Sequence, residues 1–195
     1  MLNGLGDLLR HTLRDPRSAA RAILGLDLPV QARWLALVLV VVLTVLATQI
    51  GLLLFPLPAS SAWDVLMRNG LLAVPLQVAF LALVALGMSH VGRRFGGRGR
   101  FDDALILVAW LETVMLVVQL AQLVAVLAVP PLGLLIGVVS LGLFFWLLTA
   151  FTAELNGFDS LPKVFLGILG TMFLAGFALV ALLATLGISL PVPGP

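Results

Sequence analysis

The chain of 195 residues has no cysteine, no tyrosine, two histidines and few charged residues. Without cysteine it can form no disulfide, no thiolate zinc site and no cysteine nucleophile. Neither His11 nor His90 adjoins a set of carboxylates at metal-ligand spacing, so we predict no metal site and no cofactor. The serines lack the neighbours of a nucleophile-and-base arrangement. We therefore predict that the protein is not an enzyme.

Apolar residues dominate what is present. Hydrophobic residues make up 62% of the chain and charged residues 10%, and the mean hydropathy is +1.19. A soluble core of this length cannot bury so much apolar surface, so a bilayer must be the main solvent. The sequence pI is near 10.4, yet the formal net charge is only +2. Because the basic residues lie at the borders of the apolar runs, we expect contacts with anionic lipid headgroups and no nucleic-acid binding.

Five apolar runs are long enough to span a bilayer, which requires about 20 residues. Leucines at helical spacing near the N-terminus, and Asp15 followed by Pro16 as a helix start, predict one or two short amphipathic interfacial helices. The predicted fold class is an all-α integral membrane protein, a bundle of five transmembrane helices preceded by these short helices. The predicted regions are an arm at 1–31, a membrane domain at 32–188 with spans at about 34–55, 70–91, 104–129, 133–153 and 162–187, and an external tail at 189–195.

Ten of the eleven basic residues fall in three short segments that alternate with the spans. The segments are the arm together with Arg33 just beyond it, the glycine- and arginine-rich tract at 90–100, and the connection that holds Lys163; the exception is Arg68. Since Lys and Arg in short loops set orientation, we expect a cytoplasmic N-terminus and an external C-terminus. We expect the tract to be a flexible basic loop near lipid headgroups. The predicted contacts with anionic lipid or a partner protein are Arg10, Arg14, Arg17, Arg21, Arg93, Arg94, Arg98 and Arg100.

Glu112 is the acidic residue that the pattern places well inside a span. Counting from Ala104 at about 1.5 Å per residue puts it roughly 12 Å into a hydrocarbon layer of about 30 Å. An ionised carboxylate there costs about 2.5–3.5 kcal/mol, so the group must be protonated, paired or next to water. Both a hydrogen-bonding seam between helices and a proton or cation relay fit this pattern. The predicted intramembrane polar site consists of Glu112, Gln119 and Gln122 in span three, Gln49 in span one and Gln77 in span two.

Small residues recur along one face of span four. Gly133 and Gly137, continued by Ser140, form a pattern that allows close approach of a second helix. We predict that this face packs against another helix. The sequence also leaves open a homo-oligomer that forms through the same face.

Three segments resemble the YIP-one domain family of small five-span membrane proteins. They are residues 99–105 (GRFDDAL), which open span three, residues 145–148 (FWLL) in span four, and residues 154–164 (ELNGFDSLPKV), which lead into span five. The similarity covers roughly residues 30–187. It implies a compact five-helix bundle with a cytoplasmic N-terminus. Eukaryotic members bind Rab/Ypt GTPases and serve membrane traffic, but this chain has no tyrosine and so lacks their tyrosine-bearing motif.

Two functions of different kinds follow from these patterns. The leading hypothesis is a non-enzymatic integral membrane protein that organises membrane or partner proteins through a basic cytoplasmic face. The alternative is a small transporter or channel that uses Glu112 with Gln119 and Gln122. Ten arginines against one lysine, together with high alanine and leucine content, indicate a GC-rich bacterium and hence an inner-membrane protein. The identity of a partner, substrate or oligomer does not follow from the sequence.

Overall fold

The computed structural model describes residues 4–56, 68–129 and 131–185, except the side chains of 179 and 182–184. In those residues the chain forms helices and connecting turns. The helices are α1 (Leu5–Arg14), α2 (Pro16–Leu24), α3 (Val30–Leu54), α4 (Gly70–Arg94), α5 (Phe101–Ala128), α6 (Leu132–Asn156) and α7 (Leu161–Thr185). The predicted fold class is confirmed, because five of these helices are long and apolar enough to cross a membrane and two short helices precede them.

The long helices extend past the predicted spans at several borders. Helix α3 begins at Val30 rather than at residue 34, and α6 continues to Asn156 rather than ending at residue 153. Each long helix has at least 25 residues, and about 20 suffice for the hydrocarbon layer. The extra turns therefore reach into the headgroup zone, where polar residues can cap them. The predicted tail at 189–195 and the last residues of the predicted fifth span lie outside the described part of the chain.

Helix α5 is the centre of the bundle. It packs against α2, α3, α4 and α6, and residues 104–109 are buried in succession on all sides of the helix. Such an all-round apolar helix is stable only where other helices enclose it. By contrast, α7 packs against α6, and 0% of its spanning window is buried inside the protein. Its surface therefore faces the lipid.

The N-terminal helices form a hairpin that packs onto the bundle. Asp15 accepts a hydrogen bond from the Ser18 backbone nitrogen at 3.0 Å and caps α2, whose first residue is Pro16. Helix α2 buries its apolar side against α5 and α6. The indole nitrogen of Trp110 in α5 donates to the Thr12 hydroxyl at 3.0 Å. The arm is thus joined to the membrane helices by polar as well as apolar contacts.

The glycine- and arginine-rich tract, which we expected to be a flexible loop, is folded back on the bundle. Helix α4 ends in a Schellman motif, in which the Gly96 and Gly97 nitrogens each bond at 3.0 Å to carbonyls of the last turn. Gly96 has a φ of 88°, which favours glycine. Beyond this turn, Gly97 and Gly99 lie against Asn156 at the end of α6. The absence of side chains at the glycines lets the loop sit this close, which the flexibility prediction had not considered.

Asn156 fills the space between α4, the 95–100 loop and α6. It is 3% exposed, and its side-chain nitrogen donates to the Met88 carbonyl at 3.0 Å and to the Thr152 carbonyl at 2.9 Å. Its side-chain oxygen accepts from the Gly99 nitrogen at 3.3 Å. The amide thereby satisfies groups on two helices and one loop. A Cβ on Gly92 would overlap this amide group.

We predict that Gly92→Ala lowers the unfolding free energy by about 1–3 kcal/mol, because overpacking a close contact forces the neighbours apart. Gly87→Ala is the matched control in the same helix, since a Cβ there meets nothing within 4 Å. Thermal unfolding of the purified protein in detergent measures both. The double change Gly92→Ala with Asn156→Ala should recover part of the loss, because it removes the clashing amide. Equal stability of the two single glycine variants would contradict the close packing of Gly92 against Asn156.

Candidate functional site

The predicted intramembrane site is centred on Glu112, which is 8% exposed. The Gln77 side-chain nitrogen on α4 donates to Glu112 Oε1 on α5 at 2.8 Å. Thr44 on α3 lies beside the carboxyl group, and its buried hydroxyl oxygen makes no hydrogen bond of standard geometry with the described residues. Three helices therefore meet at one polar point within an apolar bundle. The carboxyl group is sheltered and hydrogen bonded, as an acidic residue at this depth requires.

The other predicted members of the site make separate contacts. Gln119 donates to the Thr48 hydroxyl on α3 at 2.9 Å, and Gln122 donates to the Gly133 carbonyl at the start of α6 at 2.9 Å. Gln49 lies on α3 opposite Gly70, where a Cβ would be 3.9 Å from its side-chain nitrogen. The structure brings Glu112 and Gln77 into contact and places the remaining glutamines at different helix pairs. The polar side chains of α5 thus form separate hydrogen bonds to three neighbouring helices.

The small residues predicted for helix packing lie where α6 approaches α5. A Cβ on Gly133 would be 2.7 Å from Val126 Cγ2 on α5, and one on Gly137 would be 3.7 Å from the Gln122 side-chain nitrogen. Ser140 bonds back to the Ile136 carbonyl of its own helix at 2.6 Å. Within the described chain, the first part of this face is turned toward a neighbouring helix of the same molecule.

The basic segments meet at one end of the bundle, here called the basic end, formed by α1, α2, the 95–100 loop and the turn between α6 and α7. The Glu154 carboxylate in α6 forms ion pairs with Arg17 at 3.0 Å and with Arg21 at 3.2 Å. Arg17 also donates to the Phe158 carbonyl at 3.0 Å. Two of the eight predicted contact arginines are therefore used to fasten the arm to α6.

Arg33 at the start of α3 is also used internally. It is 8% exposed, pairs with Asp103 at the start of α5, and donates to the Leu28 carbonyl at 2.8 Å. Since Asp103 lies in the first turn of α5, its charge complements the helix dipole as well as the arginine. This contact joins the starts of the two helices that pack most extensively with each other.

The remaining six predicted contact arginines are exposed. Arg93 donates through Nε to the Gly99 carbonyl at 3.1 Å, which braces the loop. The side chains of the other five make no hydrogen bond or ion pair with the described residues: Arg10, Arg14, Arg94, Arg98 and Arg100. They form two groups, one on α1 and one around the 95–100 loop. The second group surrounds a loop that Asn156 anchors to α6.

Sequence reasoning missed the roles of Glu154 and Asn156, since it used residues 154–164 only for the family resemblance. The chain turns directly after them: Gly157 has a φ of 72°, and the Phe158 nitrogen bonds to the Ala153 carbonyl at 2.8 Å. The positions of Glu154 and Asn156 relative to Gly157 could have indicated these roles. Both residues precede the capping glycine, so they still belong to the helix and can point toward its neighbours.

The described residues contain no group of three metal-ligating side chains. They do contain an apolar cavity of about 260 Å³ between the N-terminal hairpin and Trp110 of α5. Its walls are aliphatic apart from the indole, whose nitrogen already bonds to Thr12. The polar contacts described above therefore lie around Glu112, Gln77, Gln119 and Gln122 and at the basic end, and not in this cavity.

A sequence model of the Yip1 domain matches residues 10–183. The chain belongs to the Yip1 domain family. The match contains every basic residue from Arg10 to Lys163 and all five residues of the predicted intramembrane polar site, so this is an integral membrane protein of the Yip1 family. No curated protein and no solved structure matches the chain.

For this Yip1 domain protein we predict that Glu112→Leu lowers stability by about 1 kcal/mol, because Gln77 loses its partner inside the bilayer. Glu112→Gln should stay close to the native stability, since its amide oxygen can still accept from Gln77. Thermal unfolding in detergent compares the two. Equal losses in both variants would contradict a hydrogen-bonded joint, and proton flux in proteoliposomes that disappears in Glu112→Gln would favour the transport alternative.

We predict that Glu154→Ala increases trypsin cleavage within the arm by about tenfold, because an opening cost lowered by about 1.4 kcal/mol raises the open population tenfold. The change leaves Arg17 and Arg21 without their shared carboxylate. Asp159→Ala is the matched control, since this exposed acidic residue on the following turn makes no ion pair with the described residues. Equal cleavage of the two variants would show that the ion pairs do not hold the arm.

Proposed function

We propose that this protein is a non-enzymatic membrane protein that organises lipids or partner proteins through its basic end. The observation that carries the proposal is the division of the arginines. Arg17, Arg21 and Arg33 form ion pairs within the protein. The arginines around the 95–100 loop remain exposed, and this loop is anchored by Asn156. Charges left free on a rigid surface are suited to binding an anionic ligand outside the molecule.

We further propose that the basic end lies in the cytoplasm. Ten basic residues alternate with the spans in the way expected for cytoplasmic loops. This orientation places the N-terminus inside and the tail outside. The composition favours a bacterial inner membrane, whose cytoplasmic leaflet is a source of anionic headgroups.

The contacts of Glu112 support this function over the transport alternative. Its carboxyl group is 8% exposed and bonds to Gln77 on the adjacent helix. Gln119 and Gln122 are each bonded to a different helix. Transport of an ion would require Glu112, Gln119 and Gln122 to face a shared path. Their contacts are instead hydrogen bonds that join neighbouring helices.

We predict that replacing Arg93, Arg94, Arg98 and Arg100 together by Gln weakens binding of the basic end to anionic lipid or to a cytoplasmic partner by at least tenfold, because each arginine near a charged surface contributes about 1 kcal/mol. Liposome binding and pull-down from membrane extracts compare the variant with the native protein. Protease accessibility of the termini must show the same topology in both. An unchanged interaction profile at unchanged topology would overturn the proposed function.

A further inference from the structure

Phe95 is the most exposed large hydrophobic side chain among the described residues of the basic end, at 72% exposure. It follows the last residue of α4 and lies between Arg94 and Arg98, which are also exposed. Leaving a phenylalanine in water forfeits about 1.5–3 kcal/mol relative to burial. An apolar ring among cations is instead typical of protein segments that lie in the membrane interface.

The position of Phe95 relative to the hydrocarbon layer indicates that lipid surrounds its side chain. Helix α4 has 25 residues and therefore extends about 37 Å, compared with about 30 Å for the hydrocarbon layer. Phe95 is thus within about one helical turn of the hydrocarbon border. The loop that carries it cannot extend away from the membrane, because Gly97 and Gly99 are packed on Asn156.

We infer that Arg94, Phe95, Arg98 and Arg100 form a prepositioned site for the headgroups of anionic phospholipids in the protein's own membrane. The arginines supply charge-assisted hydrogen bonds to phosphate oxygens, and the Phe95 ring enters the interface beside them. Asn156 acts as a positioning residue, since it holds the loop without contacting the lipid. This inference rests on the proposed function and narrows its ligand to lipid.

The depth of the site can be measured because the chain has no cysteine. A nitroxide label attached after Phe95→Cys reports its position in nanodiscs through collisions with oxygen and with a water-soluble nickel complex. Asp159→Cys provides the control on the neighbouring turn of the basic end. We expect the label at 95 to be shielded from the nickel complex relative to the label at 159. Equal access of the nickel complex to both labels would overturn the inference.

Lipid preference is tested by native mass spectrometry of the full chain with phosphatidylglycerol or phosphatidylcholine. We expect Arg94→Gln with Arg98→Gln to lower retention of phosphatidylglycerol by about tenfold, from the contribution of each arginine near anionic lipid. Arg10→Gln with Arg14→Gln removes the same charge from α1 and should have a smaller effect. Phe95→Ser and Asn156→Ala should each lower retention by about threefold or more, with phosphatidylcholine unchanged.

The outcomes separate this site from the broader proposal. If the arginine variants lose phosphatidylglycerol but Phe95→Ser and Asn156→Ala do not, the basic end binds by charge alone and the prepositioned site is wrong. If inorganic phosphate at millimolar concentration displaces the lipid, the site recognises a free anion rather than a headgroup. Capture of a soluble acidic protein that depends on Phe95, without lipid preference, would also overturn the inference. No effect of any arginine variant on lipid or partner would remove the proposed function itself.

Discussion

The last turn of α6 holds the basic end together through two side chains with different chemistry. The Glu154 carboxylate binds two arginines of α2 and so fastens the N-terminal hairpin. Two residues later, the Asn156 amide joins α4 to the loop that follows it. Both depend on α6 staying helical as far as Asn156, and the left-handed Gly157 then ends the helix in a turn that pairs the Ala153 and Glu154 carbonyls. One helix end therefore positions both groups of exposed arginines.

Inside the bundle the governing constraint is the absence of water. Every backbone polar group within the hydrocarbon layer must find a partner in the protein, and polar side chains there join helices by hydrogen bonds. Helix α5 contributes Glu112, Gln119 and Gln122 and is also the helix that the others surround, so these side chains reach α4, α3 and α6. The same central position explains why α5 combines the deepest apolar burial with the strongest polar pattern.

Much of the fold could be predicted because its signals are local. Lengths of apolar runs and the Asp15–Pro16 helix start each depend on neighbouring residues alone, and the structure contains helices and a cap at those positions. The candidate sites were predicted only in part. Glu112 and Gln77 were both recognised as polar residues within spans, but their pairing depends on which faces of α4 and α5 meet. The tract at 90–100 was recognised as basic, whereas its anchoring depends on a residue more than fifty positions away.

The sequence by itself determined that this chain is a membrane protein with five apolar helices and that its basic residues alternate with them, since hydropathy and charge are properties of each segment alone. The tertiary structure decided which arginines are free. Arg17 and Arg21 looked equivalent to Arg94 and Arg98 in the sequence, yet the side chains of the first two meet Glu154, whereas those of the last two make no hydrogen bond or ion pair with the described residues. That difference arises only when helix packing sets which charges come within bonding distance.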